Sequence, residues 1–188
     1  DDGSTDGSKE ILERNSEIKL IKINTNRGKG YAIQQGLKYA LYNKIILFDG
    51  DLELNPSDIK NLMILNKKNN ISFVMGYRFK SLNPLKSNFD WGNFMFTSFF
   101  NILFGVNHKD ILCCAKAFYN DDIKSYNILS NNFDIDVELS IIITIMNKKG
   151  TIPQKLLSYN RRNIKEGKKL KVSDGWSILS RIIRMIKY

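Results

Sequence analysis

The chain has 188 residues, of which 43% are hydrophobic and 26% charged, with three prolines and a formal net charge of +10. That is enough apolar material for one core, so a single domain spanning 1–188 is expected, and disordered or collagen-like classes are excluded. No run of eighteen or more apolar residues occurs, so no transmembrane helix is expected within this segment.

The chain opens directly on a turn-like string, DDGSTDGS (Asp1–Ser8), with no strand feeding it. A first strand is therefore expected to precede Asp1. Ser8–Asn15 carries a short helical pattern, and Ile18–Ile23 alternates as a strand does. Gly28–Tyr42 reads as a helix with Ala32, Ile33, Gly36, Leu37, Ala40 and Leu41 on one face. Lys44–Phe48 (KIILF) is a short buried strand running straight into the acidic string DGDLE (Asp49–Glu53). Pro56 opens another helix, and Ile71–Met75 is a further strand ending in Gly76-Tyr77-Arg78. Lys80–Asp90 reads as a loop and Trp91–Phe104 as a strongly apolar, aromatic helix. Asp110–Tyr119 leads through Cys113 and Cys114 into a strand. Asp134–Met146 is predicted helical, Thr151–Leu157 a last strand, and Ser173 begins a final amphipathic helix carrying Trp176, Leu179, Ile182, Ile183 and Ile186.

Strands alternating with helices imply an α/β fold with a mostly parallel sheet flanked by helices, whose ligands sit beyond the carboxyl ends of the strands. DGDLE falls at such an end. Three acids in five residues repel one another unless a cation sits among them, and Mg²⁺ or Mn²⁺ is usually held by one or two carboxylates plus substrate phosphates. In an extended segment Asp49, Asp51 and Glu53 would share a side; the competing reading is an acidic loop capping the next helix. DDGSTDGS combines small residues, which let backbone approach a ligand, with Asp2 as an acceptor for a base or ribose edge. It also fits an ordinary Asp-Gly turn. Asn26-Arg27-Gly28-Lys29-Gly30 places glycines and cations at a helix start, as phosphate binding favours, or is a solvated turn. The adjacent cysteines and single histidine, His108, offer no zinc pattern, and core thiols in a reducing, cytoplasmic setting are expected.

In order, DDGSTDGS, NRGKGYAIQQGLKYA, ILFDGDLELNP and GYRF resemble the signature of inverting family 2 glycosyltransferases of GT-A (Rossmann-like nucleotide-diphospho-sugar transferase) fold. DILCCAKAF, FDIDVEL and RRNIKEGKKLKVSDGW are similar to segments of the polyprenyl- and dolichyl-phosphate hexose synthases. The resemblance implies a nucleotide-sugar part over about 1–78 and an acceptor part over about 79–188. It implies that Asp2 contacts the nucleotide, that Asp49 and Asp51 form the D-x-D pair with Asp51 and Glu53 as metal ligands, and that Arg78 reaches the donor diphosphate. It places Asp110 near sugar and acceptor, and Arg162 and Lys169 on the phosphates. Two departures stand out: the strand with the family's P-x-Y-N-E motif is absent, and Gly50 replaces the commoner Ala within D-x-D.

The implied reaction moves a hexose from a UDP- or GDP-sugar to a lipid phosphate, using Mg²⁺ or Mn²⁺. A lipid phosphate is already an anion and needs no strong base, whereas a glycan hydroxyl would need one, with Asp110 or Glu138 as candidates. From Asn160 to Tyr188 there are nine Lys or Arg against two acids, which suits an anionic partner. The final helix then fits peripheral contact with the cytoplasmic membrane face, or simple packing on the sheet. Two acidic strings argue against nucleic acid as a partner.

Overall fold

The computed structural model describes residues 1–80, 83–147, 150–162 and 174–185. In chain order the elements are α1 (Ser8–Glu13), α2 (Lys29–Tyr39), β1 (Lys44–Leu47), α3 (Ile59–Leu62), β2 (Phe73–Tyr77) and α4 (Asn88–Phe104), then β3 (Lys116–Tyr119), α5 (Asn120–Lys124), α6 (Ile135–Met146), β4 (Gln154–Leu156) and α7 (Asp174–Met185). Most lie where hydrophobic periodicity puts them, within a few residues at each end. α5 follows β3 without a break and carried no periodic signal.

The sheet order is β1-β3-β2-β4. β2 and β4 pair in parallel, whereas β3 lies between β1 and β2 and is antiparallel to both. The α/β class stands, but the sheet is mixed rather than mostly parallel: β1, β2 and β4 run one way and β3 runs back. The cause is the return path after α4. The backbone N–H of Arg78, just past β2, donates to the Asp110 carboxylate at 3.2 Å, so the chain re-enters at the carboxyl end of β2. From there it can only run backwards, and the Gly76 N–H donates to the Ala115 carbonyl at 2.8 Å.

Alternation along the strands builds two cores. Ile45, Leu47, Phe73, Met75 and Phe118 pack on one face with α4, α6 and α7. Ile46, Val74, Ala117 and Tyr119 pack on the other with Leu54, Leu62 and Leu157. Helix α6 is almost wholly buried from Ile135 to Ile143, which explains its mostly apolar sequence; the polar residues of that stretch, Asp136, Glu138 and Ser140, are paired with Lys29, the Ser130 amide and the Ile111 carbonyl. Helix α4 is started by Ser87, whose Oγ accepts from the Asp90 N–H at 3.2 Å, and is ended by Gly105 at φ 63°.

Two expected elements are reduced. Ile18–Ile23 forms no strand, only a single parallel bridge between Asp2 and Ile23. The Pro56 helix is a 3₁₀ turn over Pro56–Asp58 followed by the single-turn α3. Among the described residues no helix is long and apolar enough to cross a membrane.

Candidate active site

Because β1, β2 and β4 run the same way, the residues that follow them emerge on one edge of the sheet: Asp49–Glu53, Arg78 and Tyr159–Arg162. The starts of α2 and α6 meet them there. Together with the first half of α4 and the start of α7 they wall a cavity of about 1380 Å³.

DGDLE is not extended. It turns, with Leu52 in the left-handed region at φ 61° and Asp51 Oδ1 accepting from the Glu53 N–H at 3.0 Å. The carboxylates are divided between two partners, Asp49 on Lys29 and both Asp51 and Glu53 on Arg162. Asp49 Oδ2 takes Lys29 Nζ at 2.8 Å, Asp51 Oδ2 takes Arg162 Nη2 at 2.7 Å, and Glu53 Oε1 accepts the Arg162 N–H at 3.0 Å. Among the described residues, no group of three or more His, Cys, Asp or Glu gathers closely enough to hold a metal. Asp51 and Glu53 still border the cavity and offer only oxygen. That donor set fits Mg²⁺ or Mn²⁺ completed by diphosphate oxygens, with Arg162 as the competing cation.

Lys29 also reaches Asp136 Oδ2 at 2.9 Å, so one ammonium joins the end of β1 to the first turn of α6. Burial pushes its pKa down, but the Asp136 and Asp49 carboxylates outweigh burial and hold it charged. Periodicity concealed this cluster: Asp136 is one of three acids, with Asp134 and Glu138, at the start of an apolar helix, and nothing in the pattern singles it out.

The Asn26–Gly30 segment borders the cavity through Asn26, Gly28 and Lys29 and is also tightly packed. Asp2 lines the cavity, but its carboxylate accepts from the N–H groups of Arg27 and Gly28 at 2.9 and 2.8 Å. A Cβ on Gly30 would lie 2.2 Å from the Ser130 carbonyl oxygen, and the Tyr31 N–H donates to Asn131 O at 3.1 Å. The start of α2 is thus pressed onto the Ser130–Asn132 loop, with the Tyr31 amide already committed.

Arg78 forms a fork on Asp110, with Nε to Oδ2 at 2.8 Å and Nη2 to Oδ1 at 3.0 Å, and Asn93 Nδ2 adds a bond to Oδ1 at 2.9 Å. Burial pushes the Asp110 carboxyl up, but the Arg78 guanidinium and these bonds hold it below the usual carboxylate range. Its side chain is 0% exposed and does not line the cavity. Arg78 and Asn93, both bonded to Asp110, line the cavity where Asp110 does not. Glu138, the other expected base, is likewise enclosed, accepting the N–H groups of Leu129 and Ser130 at 2.9 and 2.7 Å. Neither carboxylate is placed to take a proton from a ligand in the cavity.

Arg161, counted in the sequence only among the cations of the basic C-terminal stretch, also borders the cavity. It pairs with Asp90 and donates to Ser87 Oγ at 2.9 Å and Tyr159 Oη at 3.2 Å. Part of the wall is apolar, with Trp91, Met95 and Phe96 from α4 and Trp176, Ile178 and Leu179 from α7. The apolar face expected of α7 divides: Ile182 is buried and Leu179 half-buried, whereas Trp176 (76%) and Ile183 (50%) are exposed; Ile178 and Met185, not expected on that face, are buried as well. Arg181 is held by Asp134 at 2.9 Å. Cys113 and Cys114 are free thiols. Lys169, Ile186 and Lys187 lie outside the described residues.

Residues 1–126 match the family described as glycosyl transferase family 2. The chain is 33% identical over 72 residues to the poly-beta-1,6-N-acetyl-D-glucosamine synthase of Staphylococcus epidermidis, covering 37% of this chain and 17% of that protein. It is 28% identical over 83 residues to the dodecaprenyl-phosphate galacturonate synthase of Rhizobium johnstonii, covering 42% and 25%. The chain spans less than half the length of the curated relatives it matches. Among solved structures it resembles glucosyl-3-phosphoglycerate synthase from Mycobacterium tuberculosis in complex with Mn²⁺, UDP and glucosyl-3-phosphoglycerate. The TM-score is 0.70 at 13% identity, over 100% of this chain and 67% of that one.

Proposed function

This chain belongs to glycosyl transferase family 2 and has the GT-A fold, and from that premise we propose that it moves a hexose from a UDP- or GDP-sugar to a polyprenyl or dolichyl phosphate, with inversion. The observation that carries the acceptor is the mixed lining of the cavity. One part of the lining is polar and charged, with Asp2, Lys29, Asp49, Asp51 and Glu53; another is apolar, from α4 and α7; Arg162 bonds to Asp51 and Glu53 of the first, and Arg161 to Ser87 and Asp90 at the start of α4. A lipid phosphate has matching parts, a chain, an anion and the point of attack. The named relative that works on dodecaprenyl phosphate is in keeping with this reading.

In the proposed reaction a phosphate oxygen attacks the anomeric carbon as the bond to the donor diphosphate breaks, and negative charge grows on the leaving group. Asp51 with Glu53 would hold Mg²⁺ or Mn²⁺, which supplies charge neutralisation at the diphosphate when bound. Arg162, now on Asp51, is near enough to that charge to share it. Arg78 stands in the wall with Asp110 behind it, a fixed cation facing the cavity. No proton needs to be removed from an ionised phosphate, which agrees with Asp110 and Glu138 being turned away.

The reading places the nucleotide sugar on residues 1–78 and the acceptor on 79–188 of one domain. It puts the protein at the cytoplasmic membrane face, through exposed Trp91, Phe94, Trp176 and Ile183. A second reading, a glycan acceptor, is favoured by the match to a polysaccharide synthase. Full-length protein with UDP- or GDP-hexose, Mn²⁺ and a polyprenyl phosphate is expected to give a lipid-linked sugar. Transfer to an oligosaccharide and none to the lipid phosphate would overturn the acceptor.

A further inference from the structure

Two arginines of the cavity wall share one pair of aromatic rings. Phe79 and Tyr159 meet edge to face, with centroids 5.5 Å apart and planes at 80°. The Arg78 guanidinium lies 5.4 Å from both ring centroids, and that of Arg161 lies 6.0 Å from Phe79 and 5.8 Å from Tyr159. All four residues border the cavity, whereas the carboxylates that pair with the arginines, Asp110 for Arg78 and Asp90 for Arg161, do not. The Asp110 fork engages Nε and Nη2 of Arg78, and among the described residues no acceptor holds its Nη1. Like charges gathered in one wall repel, and a carboxylate between them would cancel the charge that an anion seeks. An aromatic face attracts a cation through its quadrupole yet carries no net charge, so it gathers guanidiniums without neutralising them.

We infer that Tyr159 is a positioning residue: with Phe79 it forms an uncharged platform that holds Arg78 and Arg161 together, so that both guanidiniums serve one phosphate group in the cavity. Tyr159 is well fixed for that role. It forms an antiparallel bridge with Leu54, the Asn160 N–H donates to Glu53 O at 2.8 Å, and the Ser158 N–H donates to Asp58 Oδ2 at 2.6 Å. Its ring packs against the core that contains Leu54 and Leu157, and its hydroxyl accepts from Arg161 Nε at 3.2 Å. Burial pushes the phenol above its ordinary value of 10, against the pull of Arg161 and Arg78. Tyr159 therefore stays neutral at physiological pH, and its part is spatial rather than that of a base. Arg161 also holds Ser87 and Asp90 at the start of α4, so the platform ties the ends of β2 and β4 to the helix that supplies the apolar wall.

This rests on the hexosyl-transfer reading, and the test separates the two. Phosphate is common to the donor diphosphate and the lipid acceptor, so both are probed. The full-length protein is titrated calorimetrically with UDP and GDP in the presence of Mn²⁺ and, separately, with a short-chain polyprenyl phosphate in detergent. Tyr159→Leu, which removes the ring, is expected to weaken at least one of these ligands about fivefold or more, while Tyr159→Phe, which keeps it, stays within about twofold of wild type. A loss with the nucleotide assigns the platform to the donor diphosphate, and a loss with the polyprenyl phosphate assigns it to the acceptor. Fluorinated phenylalanines placed at position 159 keep the ring's shape but drain negative charge from its face, a series that does not depend on Tyr159→Leu folding. Affinity for the same ligand should fall with each added fluorine. Unchanged affinity in Tyr159→Leu, a Tyr159→Phe as weak as Tyr159→Leu, or no trend along the fluorinated series overturns the platform, and leaves the transferase reading standing if the wild type binds. A wild type that binds neither nucleotide nor polyprenyl phosphate removes that reading itself.

Discussion

Replacing Asp110 by Asn tests whether the Arg78 fork holds the site edge together. In the folded protein Asp110 accepts three bonds from Arg78 and one from Asn93, and its side chain is fully enclosed, while that of Arg78 is 19% exposed. The substitution keeps the shape but removes the charge, leaving a largely buried guanidinium without its counter-ion. Removing one partner of a buried pair costs about 3–5 kcal/mol. Arg78 borders the cavity and can draw water from it, so the lower end, about 3 kcal/mol, is expected. The assay is urea unfolding of wild type and Asp110→Asn at a series of pH values. The carboxyl's pKa is lower in the folded state than its ordinary value of 3.8, so its contribution is complete above that value and is lost only as pH falls through the folded one. The gap between the two proteins should hold constant from neutral pH to about pH 5 and close in stronger acid. A loss under about 1 kcal/mol at pH 7, or a gap already closing between pH 7 and 5, would refute the reasoning.

Asp51→Asn is expected to abolish Mn²⁺-dependent nucleotide binding and to cut turnover by about a hundredfold or more; unchanged turnover would remove the metal assignment. Gly30→Ala drives a methyl into the Ser130 carbonyl and should cost about 1–3 kcal/mol in thermal unfolding, with Gly50→Ala as the control, where a Cβ meets open space. Burial, and then Lys116, push His108 down to about 4. The unfolded chain therefore binds the extra proton first, and stability should fall as pH drops from about 6.5 towards 4. His108→Gln should flatten that part of the profile. Sedimentation with anionic vesicles should pull down the wild type more strongly than a Trp91→Ser, Trp176→Ser double variant; equal recovery would favour plain packing of α7.

The elements and the residues that crowd the sheet edge were readable because short-range chemistry dictates them. Period-2 and period-3.6 apolar patterns must bury one face whatever the fold, so KIILF announced β1, FDIDVELSIIITIM announced α6, and an acidic string after a strand announced a site; β1, expected to be buried, is the half-buried edge of the sheet. What one residue does to another across the fold was not readable. The Lys29 bridge to Asp136 spans 107 positions, and nothing local in GKG or FDID points one at the other. The resemblance put Asp110 near sugar and acceptor, and only the turn back into β3 encloses it behind Arg78. DGDLE was expected to be extended with its acids aligned. The left-handed Leu52 and the Asp51 contact to the Glu53 amide instead turn the segment and distribute its charges to Lys29 and Arg162. Residue type and period thus determined which groups reach the edge of the sheet, because burial is a local decision. Partnership, exposure and direction were decided only by tertiary structure, because an ion pair depends on where two distant backbones bring their side chains.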